Sequence, residues 1–358
     1  MKNLKCVEFD RTVTALGRTL IGENGVLWFN WPAAGFRLRF TGKTLKARFA
    51  ARQDSMLAPF ETTPLLLDPV IGVRLEGNSE IVLRRKLTEA DQWVTLYDGE
   101  VCEHLLEVRK LSENIMGKCG VMEVETDGEF LPAPPKKAAL LEVVGDSITC
   151  GYGNETDKPG FRTEDENGLA AYGFLAAEEL GMEYSAVSVS GCGVADPVWL
   201  PGMENRGMLT MYAYADAPLE RSLGGLKTKW NFASNPAKVI VINLGTNDAN
   251  DIKMRNFAPE ATAEFHENYK ALLKLIRAEN GPEAKILCTL GSMDYYLWDE
   301  IRDIAAAYQA ESGDREVYCR KLGPIVEFTE GFGADTHPSV KSHLRMGKEL
   351  AAAIREIL

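Results

Sequence analysis

Three prolines fall within four residues in Leu131-Pro132-Ala133-Pro134-Pro135-Lys136-Lys137, and the hydrophobic period differs on the two sides of them. Proline fixes φ and donates no N–H, so such a run is extended and continues neither a helix nor a central strand. Before it, apolar residues alternate with polar ones. Phe36, Leu38 and Phe40 flank Arg37 and Arg39, while Leu45, Ala47 and Phe49 flank Lys46 and Arg48. The alternation returns at Ile81 and Leu83, Val94 and Leu96, Leu106 and Val108, and Met122 and Val124. Period two marks antiparallel strands with one wet face. Turn residues punctuate the series at Gly22-Glu23-Asn24-Gly25, Gly42, Gly77-Asn78, Asp98-Gly99 and Asp127-Gly128. A two-sheet, jelly-roll-like β-sandwich over residues 1–131 is expected, with 132–137 as the connector.

After the connector the period changes. Strand candidates at 138–145, 184–189, 237–244, 284–290 and 315–319 alternate with helical segments at 168–180, 259–279, 297–311 and 338–358. In the second helix Phe265, Tyr269, Leu272 and Ile276 form an apolar stripe, and Asn280-Gly281 ends it. Strands alternating with helices predict an α/β domain over 138–358, with a doubly wound parallel sheet.

The formal net charge of −12 repels phosphate backbones and anionic lipid, so neither nucleic acid nor a membrane is an expected partner. Met1 to Glu8 lacks the apolar core of a signal peptide, and no run of about 18 apolar residues follows. Seven cysteines make an odd set with no Cys-x-x-Cys pair, which argues against a disulfide framework and against structural zinc. The expectation is a cytoplasmic protein with reduced thiols, no metal and no cofactor.

Four short blocks stand at the ends of predicted elements: Gly145-Asp146-Ser147, Ser190-Gly191-Cys192-Gly193, Gly245-Thr246-Asn247-Asp248 and Asp335-Thr336-His337. The first three follow apolar strands and should open onto one rim, where α/β sheets bind and react. Acyl transfer by serine needs a hydroxyl, a base and donors aimed at the developing oxyanion. Ser147 offers the hydroxyl and His337 the imidazole, with Asp335 placed to hold the other ring nitrogen. The N–H groups of Ser147 and Gly191 and the amide of Asn247 would form the oxyanion hole. Pro338 is expected to open the last helix, which sets His337 at a helix N-terminus. Asp146 and Asp248 read as turn or cap residues. His343 reads as a surface side chain, and His104 and His266 as structural.

In this order the blocks resemble the SGNH (GDSL-type) hydrolases over about residues 138–358. The resemblance implies Ser147 as nucleophile, Gly191 and Asn247 as oxyanion donors and His337 as base. Most of that superfamily has two residues between the Asp and the His, whereas only Thr336 intervenes here. This spacing and the β-sandwich ahead of the hydrolase domain resemble carbohydrate esterase family two. That likeness implies removal of acetyl groups from plant-type oligosaccharides of xylan or mannan type, with either Asp335 or a backbone carbonyl orienting His337. Aromatic faces stack on sugar rings; among Tyr152, Trp199, Trp230 and Trp298, the first and last are the leading candidates for substrate contact. Two other readings use the same residues differently: a lysophospholipase or acyl thioesterase, and a saccharide-binding protein without turnover.

Overall fold

The computed structural model describes residues 2–22, 24–56, 63–75, 80–196 and 205–358. The alternating first part forms an antiparallel sheet, of nine strands among the described residues. Its centre is β1 (Gly35–Arg52), flanked by β2 (Asp91–Lys110) and β3 (Lys118–Thr126). Phe36, Leu38, Phe40, Leu45, Ala47 and Phe49 of β1 point into one core with Val94, Leu96, Leu106 and Val108 of β2. Each of these side chains except Ala47 contributes roughly 1.5–3 kcal/mol on burial, so a one-residue slip would be prohibitive.

Two expected turns are not turns. Gly42 and Asp98-Gly99 lie inside β1 and β2, where the register shifts between Asp98↔Thr44 and Cys102↔Gly42. Gly42 has φ +130°, a conformation open to glycine, and the mismatch is absorbed as an irregularity within two long paired strands. The Gly77-Asn78 turn and Trp199 lie outside the described residues.

The second part is a parallel sheet of β4 (Leu140–Gly145), β5 (Glu183–Ser188), β6 (Val239–Asn243), β7 (Lys285–Leu290) and β8 (Val317–Lys321). Among the described residues its order is β5-β4-β6-β7-β8, every pair parallel. The helices that position the site are α1 (Ser147–Cys150), α2 (Tyr172–Glu179), α3 (Thr246–Met254), α4 (Pro259–Asn280), α5 (Trp298–Ser312) and α6 (Val340–Ile357). Both faces are covered: Leu141, Val143, Val239 and Val241 pack with α2 and α6, while Val144, Ile240 and Ile242 pack with α4 and α5. Because β5 and β6 lie on opposite sides of β4, the chain reverses direction across the sheet at Gly145. That switch point is where an α/β crevice opens, and Ser147 stands on it.

The connector is extended, as its prolines require, but it is not loose. Ala133 donates its N–H to Arg11 O at 2.9 Å, Arg37 reaches Pro135 O at 2.7 Å, and Lys137 N reaches Glu183 Oε1 at 2.9 Å. Arg18, fully buried in the first part, pairs with Glu142 of β4 through two hydrogen bonds of 3.0 and 2.9 Å. A loop, Leu111 to Gly117, joins β2 to β3 and is buried throughout. Gly168 donates its N–H to Leu111 O at 2.8 Å, and Asn114 Nδ2 meets Asp216 Oδ1 at 3.0 Å. Among the described residues no helix is long and apolar enough to cross a membrane.

The last helix corrects two expectations. It starts at Val340 with Ser339 as its cap, Ser339 Oγ accepting from Ser342 N, so Pro338 and His337 precede it. His343 is not on the surface. It is fully buried, on the face carrying Met346, Gly347 and Leu350, and its Nδ1 accepts from Tyr172 N at 3.2 Å. Burial, helped by the neighbouring His337, pushes its pKa down to about 3. A histidine depressed this way stabilises the fold fully above its unfolded value near 6.5, and that contribution is lost as pH falls toward about 3. At about pH 5 the loss should be roughly 2 kcal/mol. Urea unfolding of wild type and His343→Gln at about pH 5 and 7.5 should show the wild type losing that much more stability on acidification; equal losses would contradict it.

Candidate active site

Glycine ends β4 and Asp146 caps the turn that follows, its Oδ1 accepting from Ile148 N at 3.0 Å. This places Ser147 as the first residue of α1, at the sheet's carboxyl edge. Some 190 residues on, His337 Nε2 lies 2.9 Å from Ser147 Oγ. The hydroxyl and the imidazole are therefore brought within proton-transfer distance, as base-assisted attack requires.

His337 Nδ1 meets backbone carbonyls, Ala334 O at 3.2 Å and Asp335 O at 3.3 Å. The Asp335 carboxylate is elsewhere. Its Oδ2 accepts from Tyr152 Oη at 2.6 Å and from Gly160 N at 3.2 Å. The reason lies in the main chain: Asp335 and Thr336 have φ of +48° and +63°, so the side chain turns away while the carbonyls turn inward. The loop is closed by Gly333 N on His337 O at 2.7 Å, and it seats on Gly153, where a Cβ would lie 2.3 Å from Ala334 Cβ.

Of the two leading candidates for sugar contact, Tyr152 is already committed within the protein. It is 7% exposed, with its hydroxyl spent on Asp335 and its ring 4.5 Å from the His337 ring, so it braces the imidazole. Trp298 opens α5 half-buried against the core, and Trp230 packs near the Arg18 guanidinium.

Gly191 has φ +77°, and among the described residues its N–H and that of Ser147 take no protein acceptor. Asn247, buried at the start of α3, directs Nδ2 to Cys192 O at 2.9 Å and to Asp146 Oδ2 at 3.4 Å. The second contact is long enough to yield to a better acceptor. Asp248 Oδ1 accepts from Val194 N at 2.9 Å and so ties the Gly191–Gly193 turn to α3. Burial pushes the carboxyls of Asp146 and Asp248 up to about 7. Cys150 and Cys192 are buried free thiols.

Sequence reasoning passed over Glu113 and Glu166. Both are fully buried, and with Cys150 their ligating atoms lie within 4.8 Å of one another. No motif around Glu113 signals this, because Cys150 and Glu166 come from the other part of the chain.

Burial holds the His337 imidazole below its ordinary 6.5, while the Asp335 and Ala334 carbonyls and the Asp335 carboxylate pull it back up. If neutral imidazole is the base, kcat/KM should stay level on acidification until below pH 6.5. Asp335→Asn removes a charge that favours imidazolium, so its acid limb should lie lower still. A wild-type limb centred at or above about pH 7 in the pH–rate profile would contradict the first expectation, and an Asp335→Asn limb at or above the wild-type position would contradict the second.

Compared with known proteins, residues 141–350 match the family model for the GDSL-like lipase/acylhydrolases. The cellulase/esterase CelE of Acetivibrio thermocellus is 31% identical over 265 residues, 71% of this chain but 30% of that protein, so the chain spans under a third of its length. An acetylxylan esterase/glucomannan deacetylase of Cellvibrio japonicus is 23% identical over 98% of this chain and 90% of its own. Among solved structures, the acetyl xylan esterase Est2A from the rumen bacterium Butyrivibrio proteoclasticus superposes with a TM-score of 0.84 at 20% identity, over 99% of this chain and 98% of that one.

Proposed function

Because the chain belongs to the GDSL-like lipase/acylhydrolase family, we propose that it is a carbohydrate O-acetyl esterase acting on acetylated oligosaccharides of xylan or mannan type. The observation that carries this reading is the 2.9 Å contact between Ser147 Oγ and His337 Nε2, with Nδ1 held on backbone carbonyls. Ser147 attacks the acetyl carbonyl as His337 takes its proton. The tetrahedral oxyanion is met by Ser147 N–H, Gly191 N–H and the Asn247 amide, and His337 returns the proton to the departing sugar hydroxyl. Water activated by the same imidazole then splits the acyl-enzyme and releases acetate. No metal or cofactor enters these steps.

The preference for a small acyl group is supported by the Cellvibrio relative, whose name is acetylxylan esterase/glucomannan deacetylase. The names of the Acetivibrio and Cellvibrio relatives support the sugar.

The test is acetate release from acetylated xylo-, manno- and gluco-oligosaccharides, beside nitrophenyl acetate, butyrate and octanoate. Release from the sugars with preference for acetate is expected. Preference for octanoate would replace this reading with a lysophospholipase or thioesterase, and binding of the sugars without turnover would replace it with a saccharide-binding protein.

A further inference from the structure

Gly191 carries one of the proposed oxyanion donors, yet it has no side chain to hold it. What fixes the peptide before it comes from the other part of the molecule. Ser190 N lies 2.7 Å from Glu113 Oε2, and Ser190 Oγ donates to Glu113 Oε1. Glu113 is 0% exposed and sits on the buried Leu111–Gly117 loop between β2 and β3, 77 residues from Ser190. One carboxylate thus clamps both the main chain and the side chain of the residue preceding Gly191. It also lies 3.7 Å from the Sγ of Cys150, at the end of the helix that Ser147 begins.

The carboxylate's surroundings fit that work. Lys110 Nζ, itself fully buried, donates to Ser112 O at 3.0 Å and to Glu113 O, which sets a cation beside Glu113. Burial pushes the Glu113 carboxyl up, the bonds from Ser190 and the nearby Lys110 pull it back, and two hydrogen bonds to one turn fix its direction. We propose that Glu113 is a positioning residue for the Gly191 N–H, so that the antiparallel layer takes part in acyl transfer by aiming the oxyanion site without touching substrate. The proposal rests on the serine-esterase reading and extends it.

Removing an oxyanion donor outright costs about 10²–10³ in kcat. Misaiming one should cost less, so Glu113→Gln should lower kcat on nitrophenyl acetate about 10- to 100-fold with KM within about twofold. Glu113→Ala should be slower than the Gln variant, whose amide oxygen still accepts one of the two bonds. Ser190→Ala, which removes only the hydroxyl donor, should slow the enzyme mildly and add little to Glu113→Gln. Amide hydrogen exchange at Ser190 and Gly191 should quicken in both Glu113 variants while exchange in β4 and β6 stays at its wild-type rate.

Unchanged kcat in Glu113→Gln overturns the proposal, and so does unaltered exchange at Ser190. If Glu113→Ala fails to fold, the Gln and Ser190→Ala variants carry the test. Wild type that cleaves nitrophenyl acetate but no sugar ester removes the substrate reading and leaves the Glu113 result standing. Wild type that cleaves neither removes the esterase reading and, with it, the role of Glu113 in acyl transfer.

Discussion

Ser147→Ala is expected to lower kcat for acetate release by a factor on the order of 10⁵–10⁶ while leaving the circular dichroism spectrum and sugar binding intact. The size follows from the geometry. With Oγ gone, His337 Nε2 faces nothing it can deprotonate on the protein, and only the oxyanion donors continue to act on a bound ester. His337→Ala should cost nearly as much, because the hydroxyl loses its proton acceptor. The two act as one unit, so the double variant should be no slower than the worse single one. Acetate release by Ser147→Ala within tenfold of wild type would remove this hydroxyl from the chemistry.

The second large effect is on stability. Arg18→Ala is expected to cost about 3–5 kcal/mol, because it leaves the Glu142 carboxyl buried without its ion-pair partner in the strand that ends just before Ser147. Glu142 would keep Tyr212 Oη at 2.9 Å and Ser185 Oγ at 3.2 Å, two neutral donors in place of a guanidinium. Replacing both partners, as Arg18→Met with Glu142→Leu, should recover most of the loss, since desolvation of the surviving carboxyl is the main penalty. Urea unfolding of the three proteins measures it. A single variant within about 1 kcal/mol of wild type would mean that solvent reaches Glu142.

The parallel sheet was legible because its strands are apolar on both faces and its helices carry one apolar stripe. Residues 284–290 and 259–279 were assigned within one or two positions for that reason. The meeting of Ser147 with His337 was foreseen for a related reason: strand ends in such a sheet share one rim. Three features were not readable. Asp98-Gly99 has turn composition but lies inside a twenty-residue strand, because tertiary pairing with β1 overrides a local preference. His343 looks polar and exposed until α2 supplies the surface that covers it. Nothing in Asp335-Thr336-His337 announces a left-handed backbone, so the choice between the Asp335 carboxylate and a backbone carbonyl as partner of the ring nitrogen is open in the sequence, and the carbonyls face it in the fold. In each case the missing information belongs to a distant partner or to main-chain geometry.

That left-handed pair has a bearing on how the protein would fail. Asp335 and the β-branched Thr336 occupy a region that costs such residues about 1–3 kcal/mol each, and the surrounding bonds to Tyr152, Gly153 and Gly160 hold them there. A segment under that tension is expected to let go before the sheets do. On slow warming, turnover should therefore fade while the far-ultraviolet signature persists, and cooling from that window should bring the activity back.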